Sequence, residues 1–294
     1  MRLSKFDFHA PKTISEAIEL LQSKGPDARL MAGGTDLLMK MKHGAVKPPC
    51  LISLKSVPGL NAIRFDESAG LTIGATALLS EVAEHPDILR HYPTVAQAAR
   101  ATANVQVRNM GTVVGNLCNA SPAADNPPIH MAMRAVVLIE GPGGKRELPL
   151  DEFFRGPGVT ALLPAEIVTG LRVPRMPVNA GTAYHSLSAR GKLDCNAVGA
   201  AVMLTLKGKI CEDVRLFISA CGPTPLRGRK AEEMVRGKEL TEEIAAKAGA
   251  EAAEESLPIT DLRASADYRT EMVAVLTRRV LKEACQMALT SQPA

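Results

Sequence analysis

Ala32-Gly33-Gly34-Thr35-Asp36 lies between two apolar runs, where glycines let the backbone turn sharply and bring successive N–H groups onto one anion. A pyrophosphate is the natural guest of such a corner, and an ordinary glycine turn between strands is the plainer alternative. Thr72-Ile73-Gly74-Ala75-Thr76 makes a second small-residue corner at a strand end, ahead of a helix-start signal at Ser80. A third lies in residues 104–128, NVQVRNMGTVVGNLCNASPAADNPP, where Gly111, Thr112, Gly115 and Asn116 expose backbone beside hydroxyl and amide groups that can donate to phosphate or polyol oxygens. Ser121 adds a hydroxyl, and Asp125 a carboxylate able to accept from sugar hydroxyls. Three such corners point to one elongated, phosphate-bearing ligand held by backbone and dipoles rather than by reactive side chains.

Other chemistries find less support. GxGxxG and GxxxxGK are both absent. Cys50, Cys118, Cys195, Cys211, Cys221 and Cys285 are scattered without a CxxC pair, which argues against a zinc knuckle, a thioredoxin-type site or a cluster ligated by this chain alone. They are expected to be buried, reduced thiols, with Cys118 packing as a small apolar residue. His85 and His91 lack an HExxH setting and read as solvent-facing or capping residues, while Glu232-Glu233 and Glu254-Glu255 read as solvated helix faces.

The elements that must position the three corners follow from periodicity and turn residues. Thr13 to Glu16 form a capping box that opens a short amphipathic helix closed by Gly25. An apolar strand precedes the first corner and an apolar segment follows it. PCLISLKSV, LNAIRFDES and GLTIGATA predict successive strands, and residues 80–103 a helical stretch with a second capping signal from Thr94 to Gln97. AVVLIE, a GPGG turn and KRELPL predict a hairpin, and EIVTGLRVP a strand ending at Pro174. Residues 175–182 are the expected domain boundary. Beyond it, strands in GTAYHSLSA, NAVGAAVMLTL and KICEDVRLFISA alternate with helices at 241–255 and 267–289. In the last helix Met272, Leu276, Val280, Ala284 and Met287 share one face, as core packing requires. The fold class is α+β, without regular βαβ alternation.

With 294 residues, 46% of them hydrophobic and 22% charged, the chain can bury one large or two ordinary cores. A net charge of +4, no Trp, three Tyr and six Phe argue against a nucleic-acid partner. No stretch reaches the ~18 consecutive apolar residues of a spanning helix, and charge and proline interrupt the N-terminus, so the expected location is the cytoplasm.

AGGTDLL, TIGATALLSEV and RNMGTVVGNLCNASPAADNPP, followed by FFRGPGVTALLPAEIVTGLRVP, resemble the successive FAD-contact segments of the flavoprotein subunit of molybdenum hydroxylases, the group of carbon monoxide dehydrogenase and xanthine dehydrogenase. GPTPLRGRKAEEMVRGKEL and ASADYRTEMVAVLTRRVLKEA resemble that family's C-terminal domain, so the similarity covers almost the whole chain. The resemblance implies a two-lobed FAD-binding domain of the vanillyl-alcohol-oxidase (PCMH) type over residues 1–176 and a smaller α+β C-terminal domain over 177–289. It implies that Leu30, Met31, Ala32, Gly33, Gly34, Thr35 and Asp36 wrap the pyrophosphate and that Ile73, Gly74 and Thr76 support the same ligand. Thr112, Gly115, Asn116 and Asp125 would hold the diphosphate and the ribityl or ribose hydroxyls, with Val168 near the isoalloxazine. No residue of this chain is expected to be catalytic or to bind a metal.

The implied activity is electron transfer. A molybdopterin-binding large subunit oxidises substrate, a small subunit relays electrons through [2Fe–2S] clusters, and FAD in this chain passes them to an external acceptor such as NAD or a quinone. One position departs from the family, which often has a lysine after the aromatic of AYHSLSAR; here His185 and Ser186 stand there, with Arg190 and Lys192 farther on. Two alternatives remain open from the sequence: a self-sufficient flavin oxidoreductase, and a flavin-free nucleotide-binding scaffold subunit.

Overall fold

The computed structural model describes residues 3–191 and 194–291. The first lobe opens with the helix Ile14–Lys24, whose Thr13 Oγ1 accepts from Glu16 N at 3.1 Å. Glu16 reaches back to Lys12 N rather than to the cap residue, and Gly25, at φ 78°, closes the last turn onto Leu21 O. Asp7–His9, Cys50–Ser53 and Arg29–Met31 make a parallel sheet with Cys50–Ser53 in the centre. That strand is buried along its length, as a continuous apolar run between two parallel neighbours should be.

The second lobe is a five-stranded antiparallel sheet in the order Ile63–Asp66, Gly70–Gly74, Ile167–Val173, Val136–Gly141, Gly144–Pro149. Leu71, Ile73, Val137, Ile139 and Leu171 from this sheet share one core with the helices Leu79–Glu84, Pro86–His91, Pro93–Ala101, Val113–Cys118 and Asn126–Ala132. The expected capping role of Thr94 is not realised. The helix starts at Pro93, which has no N–H to satisfy, and Thr94 Oγ1 instead lies 2.7 Å from Thr182 Oγ1.

The last sheet runs Ala180–Leu187, Val198–Lys207, Ile210–Ser219, Leu226–Arg227, all antiparallel. Both faces are covered, with period two. Tyr184, Ala201, Met203 and Phe217 join the core of the second lobe, while Ala200, Val202 and Leu204 pack with the helices Glu242–Glu255 and Ala266–Thr290. The predicted stripe holds at Leu276, Val280 and Ala284, which are buried, with Met272 and Met287 half-buried at its ends.

Three surface expectations are corrected by packing. Glu232 is only 2% exposed: it pairs with Arg227 through two bonds of 2.8 and 2.9 Å and accepts from Leu216 N, so it ties its helix to the sheet. Glu255 accepts from Lys230 N and Ala231 N at the start of the helix Arg229–Val235. His91 stacks on Phe65 with ring centroids 4.1 Å apart, whereas His85 precedes the helix Pro86–His91 without a side-chain bond to its N–H groups. Of the cysteines, Cys50, Cys211 and Cys221 are buried, Cys118 and Cys285 half-buried and Cys195 exposed; all six are free thiols.

Candidate cofactor site

A cavity of about 770 Å³ opens where the two lobes meet the third sheet, within the roughly 300–1,000 Å³ of cofactor and small-molecule sites. Leu30 through Asp36 line it, as do Thr112, Gly115, Asn116, Asp125 and Val168. Ile73, Gly74 and Thr76 do not; of the second corner only Ala75 reaches the wall. Their roles lie behind it. Ile73 is wholly buried, Thr76 N donates to Leu60 O at 2.8 Å, and a Cβ on Gly74 would stand 2.1 Å from Leu60 O.

The first corner leaves the strand Arg29–Met31 and enters the helix Leu37–Lys42, which the sequence had marked only as an apolar segment. Between them the N–H groups of Gly33, Gly34, Thr35 and Asp36 donate to no acceptor among the described residues. Successive backbone donors without protein acceptors, on residues that line a cavity, are chemically suited to an anion. Gly33 is where the first and third corners touch: a Cβ there would lie 2.2 Å from Met110 O and 2.7 Å from Gly111 Cα. At the rim Lys40 Nζ donates to Asn119 Oδ1 at 2.7 Å, and Asn119 Nδ2 donates to Asp36 Oδ1 at 3.1 Å, joining the same two corners.

The third corner is more helical than its glycines and prolines suggest. Asn104 caps Val105–Arg108 by accepting from Val107 N, and Thr112 caps Val113–Cys118 by accepting from Gly115 N at 2.9 Å. Since Thr112 Oγ1 accepts there, its own proton remains for a ligand. Cys118 also lines the cavity, and burial pushes its thiol up to about 12, so it is a neutral wall group rather than a nucleophile.

Asp125 is held by the strand Ala180–Leu187 and the loop before Val198–Lys207. Tyr184 Oη, Asn196 Nδ2 and Ser186 Oγ all donate to its Oδ1, at 2.7, 2.8 and 3.4 Å. Burial raises its carboxyl above the usual range, opposed by those hydrogen bonds. Ser186 thus gives a hydroxyl to Asp125 rather than a charge to the cavity. His185 turns instead to Glu283 at 2.6 Å and Arg190 to Asp194 at 3.2 Å; Lys192 lies outside the described residues. Tyr184 and Asn196 carry no motif and were missed in the sequence, as were Asp194 and Cys195, which the loop before Val198–Lys207 also brings to the cavity wall.

Behind the third corner, Asn126 Nδ2 donates to Thr102 Oγ1 at 3.0 Å and to Asn116 Oδ1 at 3.1 Å. His130 Nδ1 donates to Asn126 O at 2.7 Å, and burial pulls this ring down to about 4 from 6.5. His130 therefore stays neutral in the fold while its unfolded counterpart charges. The unfolded chain binds more protons between these values, so stability is lost as pH falls through the window, by about 3 kcal/mol for this group. Denaturant unfolding should show this acid loss in the wild type and a smaller one in His130→Gln; equal pH slopes would contradict it.

Among the described residues no group of three or more His, Cys, Asp or Glu could hold a metal ion, and no helix is long and apolar enough to cross a membrane. Residues 4–176 match the FAD binding domain in molybdopterin dehydrogenase, and residues 182–284 the CO dehydrogenase flavoprotein C-terminal domain. The carbon monoxide dehydrogenase medium chain of Hydrogenophaga pseudoflava is 35% identical over 95% of this chain and 97% of the relative. The putative xanthine dehydrogenase FAD-binding subunit of Escherichia coli (strain K12) is 30% identical over 96% and 98%. Among solved structures, carbon monoxide dehydrogenase of H. pseudoflava superposes with a TM-score of 0.94 over 98% of this chain and 99% of that one, at 35% identity. Quinoline 2-oxidoreductase of Pseudomonas putida 86 gives 0.91 at 29% identity, over 98% and 100%. With both domain models matched in order and relatives aligned end to end, the chain belongs to the FAD-binding medium subunits of the carbon monoxide dehydrogenase and xanthine dehydrogenase family.

Proposed function

We propose that this chain holds one FAD in the cavity and links iron–sulfur clusters of a partner subunit to an external acceptor such as NAD or a quinone, while a molybdopterin-bearing large subunit oxidises substrate. The observation that supports it most is the run of four unmet backbone N–H groups at residues 33–36 on the wall of a cofactor-sized cavity. Those groups receive the pyrophosphate, with Leu30, Met31 and Ala32 shaping the approach. Thr112 and Asn116 add donors from the facing corner, where Gly115, its own N–H taken by Thr112 Oγ1, lines the wall without a side chain, and Asp125 accepts from a ribityl or ribose hydroxyl. Val168, 6% exposed, gives the isoalloxazine an apolar wall, and Ile73, Gly74 and Thr76 back the cavity without touching its contents. Bound FAD supplies redox chemistry that passes one or two electrons, which is why the site needs no nucleophile or base of its own. The FAD-binding domain covers residues 1–176 and the C-terminal domain 177–289, and the cytoplasm is the compartment that six free thiols suit.

Co-expression with the two partner subunits tests the relay. A complex containing molybdenum, iron and FAD should form, and among carbon monoxide, xanthine and quinoline any compound that it oxidises should bleach the flavin in the complex alone. Bleaching of the purified single chain by any of these compounds would overturn the proposal in favour of a self-sufficient oxidoreductase.

A further inference from the structure

We infer that Thr102 and Asn126 are positioning residues that fix the Asn116 amide with its NH2 group facing the cofactor cavity. The inference rests on FAD occupying that cavity. The direction of each bond follows from which atoms carry protons. Thr102 Oγ1 lies 3.0 Å from Ala98 O, and a carbonyl has no proton, so the hydroxyl proton is committed to that contact. Only lone pairs of Thr102 are left for Asn126, 3.0 Å away, which must turn its NH2 toward them. The same NH2 reaches Asn116 at 3.1 Å, and Asn116 must meet it with Oδ1. The other end of the Asn116 amide is then a donor. Asn116 lines the cavity, and its Nδ2 donates to no acceptor among the described residues.

The chain runs across three helices, from the C-cap of Pro93–Ala101, through the first residue of Asn126–Ala132, to the middle of Val113–Cys118. Asn126 is wholly buried, and its Oδ1 has no partner. A buried amide that leaves its acceptor unmet is an unfavourable choice unless its orientation is dictated from elsewhere. Thr102 dictates it. A donor at Asn116 complements phosphate oxygens, hydroxyl lone pairs and flavin carbonyls, whereas a reversed amide would set an acceptor against them.

FAD titrated into the apo form of the full chain, read by flavin fluorescence, tests the relay with Thr102→Val, Thr102→Ser, Asn126→Asp, Asn116→Ala and the double variant Thr102→Val/Asn116→Ala. Valine keeps the shape of threonine but removes its lone pairs, and should weaken FAD binding by about 10-fold, whereas serine should stay within about 2-fold of wild type. In the Asn116→Ala background Thr102→Val should cost nothing further, a coupling that a merely structural role would not give. Asn126→Asp, which has no N–H to offer Asn116, should behave like Thr102→Val and takes its place in the cycle if the valine variant does not fold. Wild-type affinity in the variant used, or full additivity with Asn116→Ala, overturns the relay alone. A wild-type chain that binds no FAD overturns the cofactor assignment and the relay with it.

Discussion

Gly33→Ala should strip FAD from an otherwise folded chain. The added Cβ would sit 2.2 Å from Met110 O, and the neighbour is backbone rather than a side-chain tip that could swing away. The first and third corners must therefore separate, and the donors they aim at one ligand separate with them. Taking the upper end of the cost of overpacking, about 3 kcal/mol, FAD affinity should fall roughly 100-fold. Gly143→Ala is the control, since nothing lies within 4 Å of its Cβ position, and should bind FAD as the wild type does. Titration of the three proteins with FAD checks this. Equal affinities in Gly33→Ala and wild type would mean that the contact between the corners does not shape the site.

Asp125→Ala should produce the second large effect, on two observables at once. Its carboxylate is the shared acceptor of Tyr184, Asn196 and Ser186, so its loss strands donors from the strand Ala180–Leu187 and the loop before Val198 as well as any hydroxyl of the ligand. FAD affinity should drop by about 1–3 kcal/mol, and the thermal midpoint should fall with it, because a buried Tyr184 hydroxyl loses its acceptor. Tyr184→Phe should separate the two, since it removes a donor and leaves the carboxylate facing the cavity. Burial raises the Asp125 carboxyl above the usual range, so acidification neutralises it earlier than an ordinary aspartate. FAD affinity should accordingly weaken as the pH falls through that raised value, and Asp125→Asn should flatten the dependence. An unchanged dissociation constant in Asp125→Ala would place the residue outside the site.

The corners were legible because what they do is local. Glycine beside threonine at residues 33–35, and the Gly111 to Asn116 run, expose backbone whatever surrounds them, and both reach the cavity. The strands and the long terminal helix were legible for the same reason, from period and punctuation. What was not legible depends on partners distant in the chain. Gly74 looks like Gly33 in sequence, yet it meets Leu60 O behind the wall rather than another corner of the site. Glu232 looks like any helix glutamate until Arg227 and Leu216 N close on it. Thr102 and Asn126, 24 positions apart, carry no motif, and their meaning appears only when three helices bring them to Asn116. The short helices of residues 104–132 were hidden by glycine and proline, which here sit at first turns and tight approaches where they do not break a helix.

The central claim is that this cavity holds FAD as a dinucleotide, spanning from the unmet N–H groups of residues 33–36 to Asp125. Titration of the apo chain with FAD and, separately, with FMN tests it most directly. The account predicts an end point at one FAD per chain, much weaker binding of FMN, and loss of the preference for FAD in Gly33→Ala. Equal affinity for FMN and FAD, or no saturable uptake of either, would contradict it.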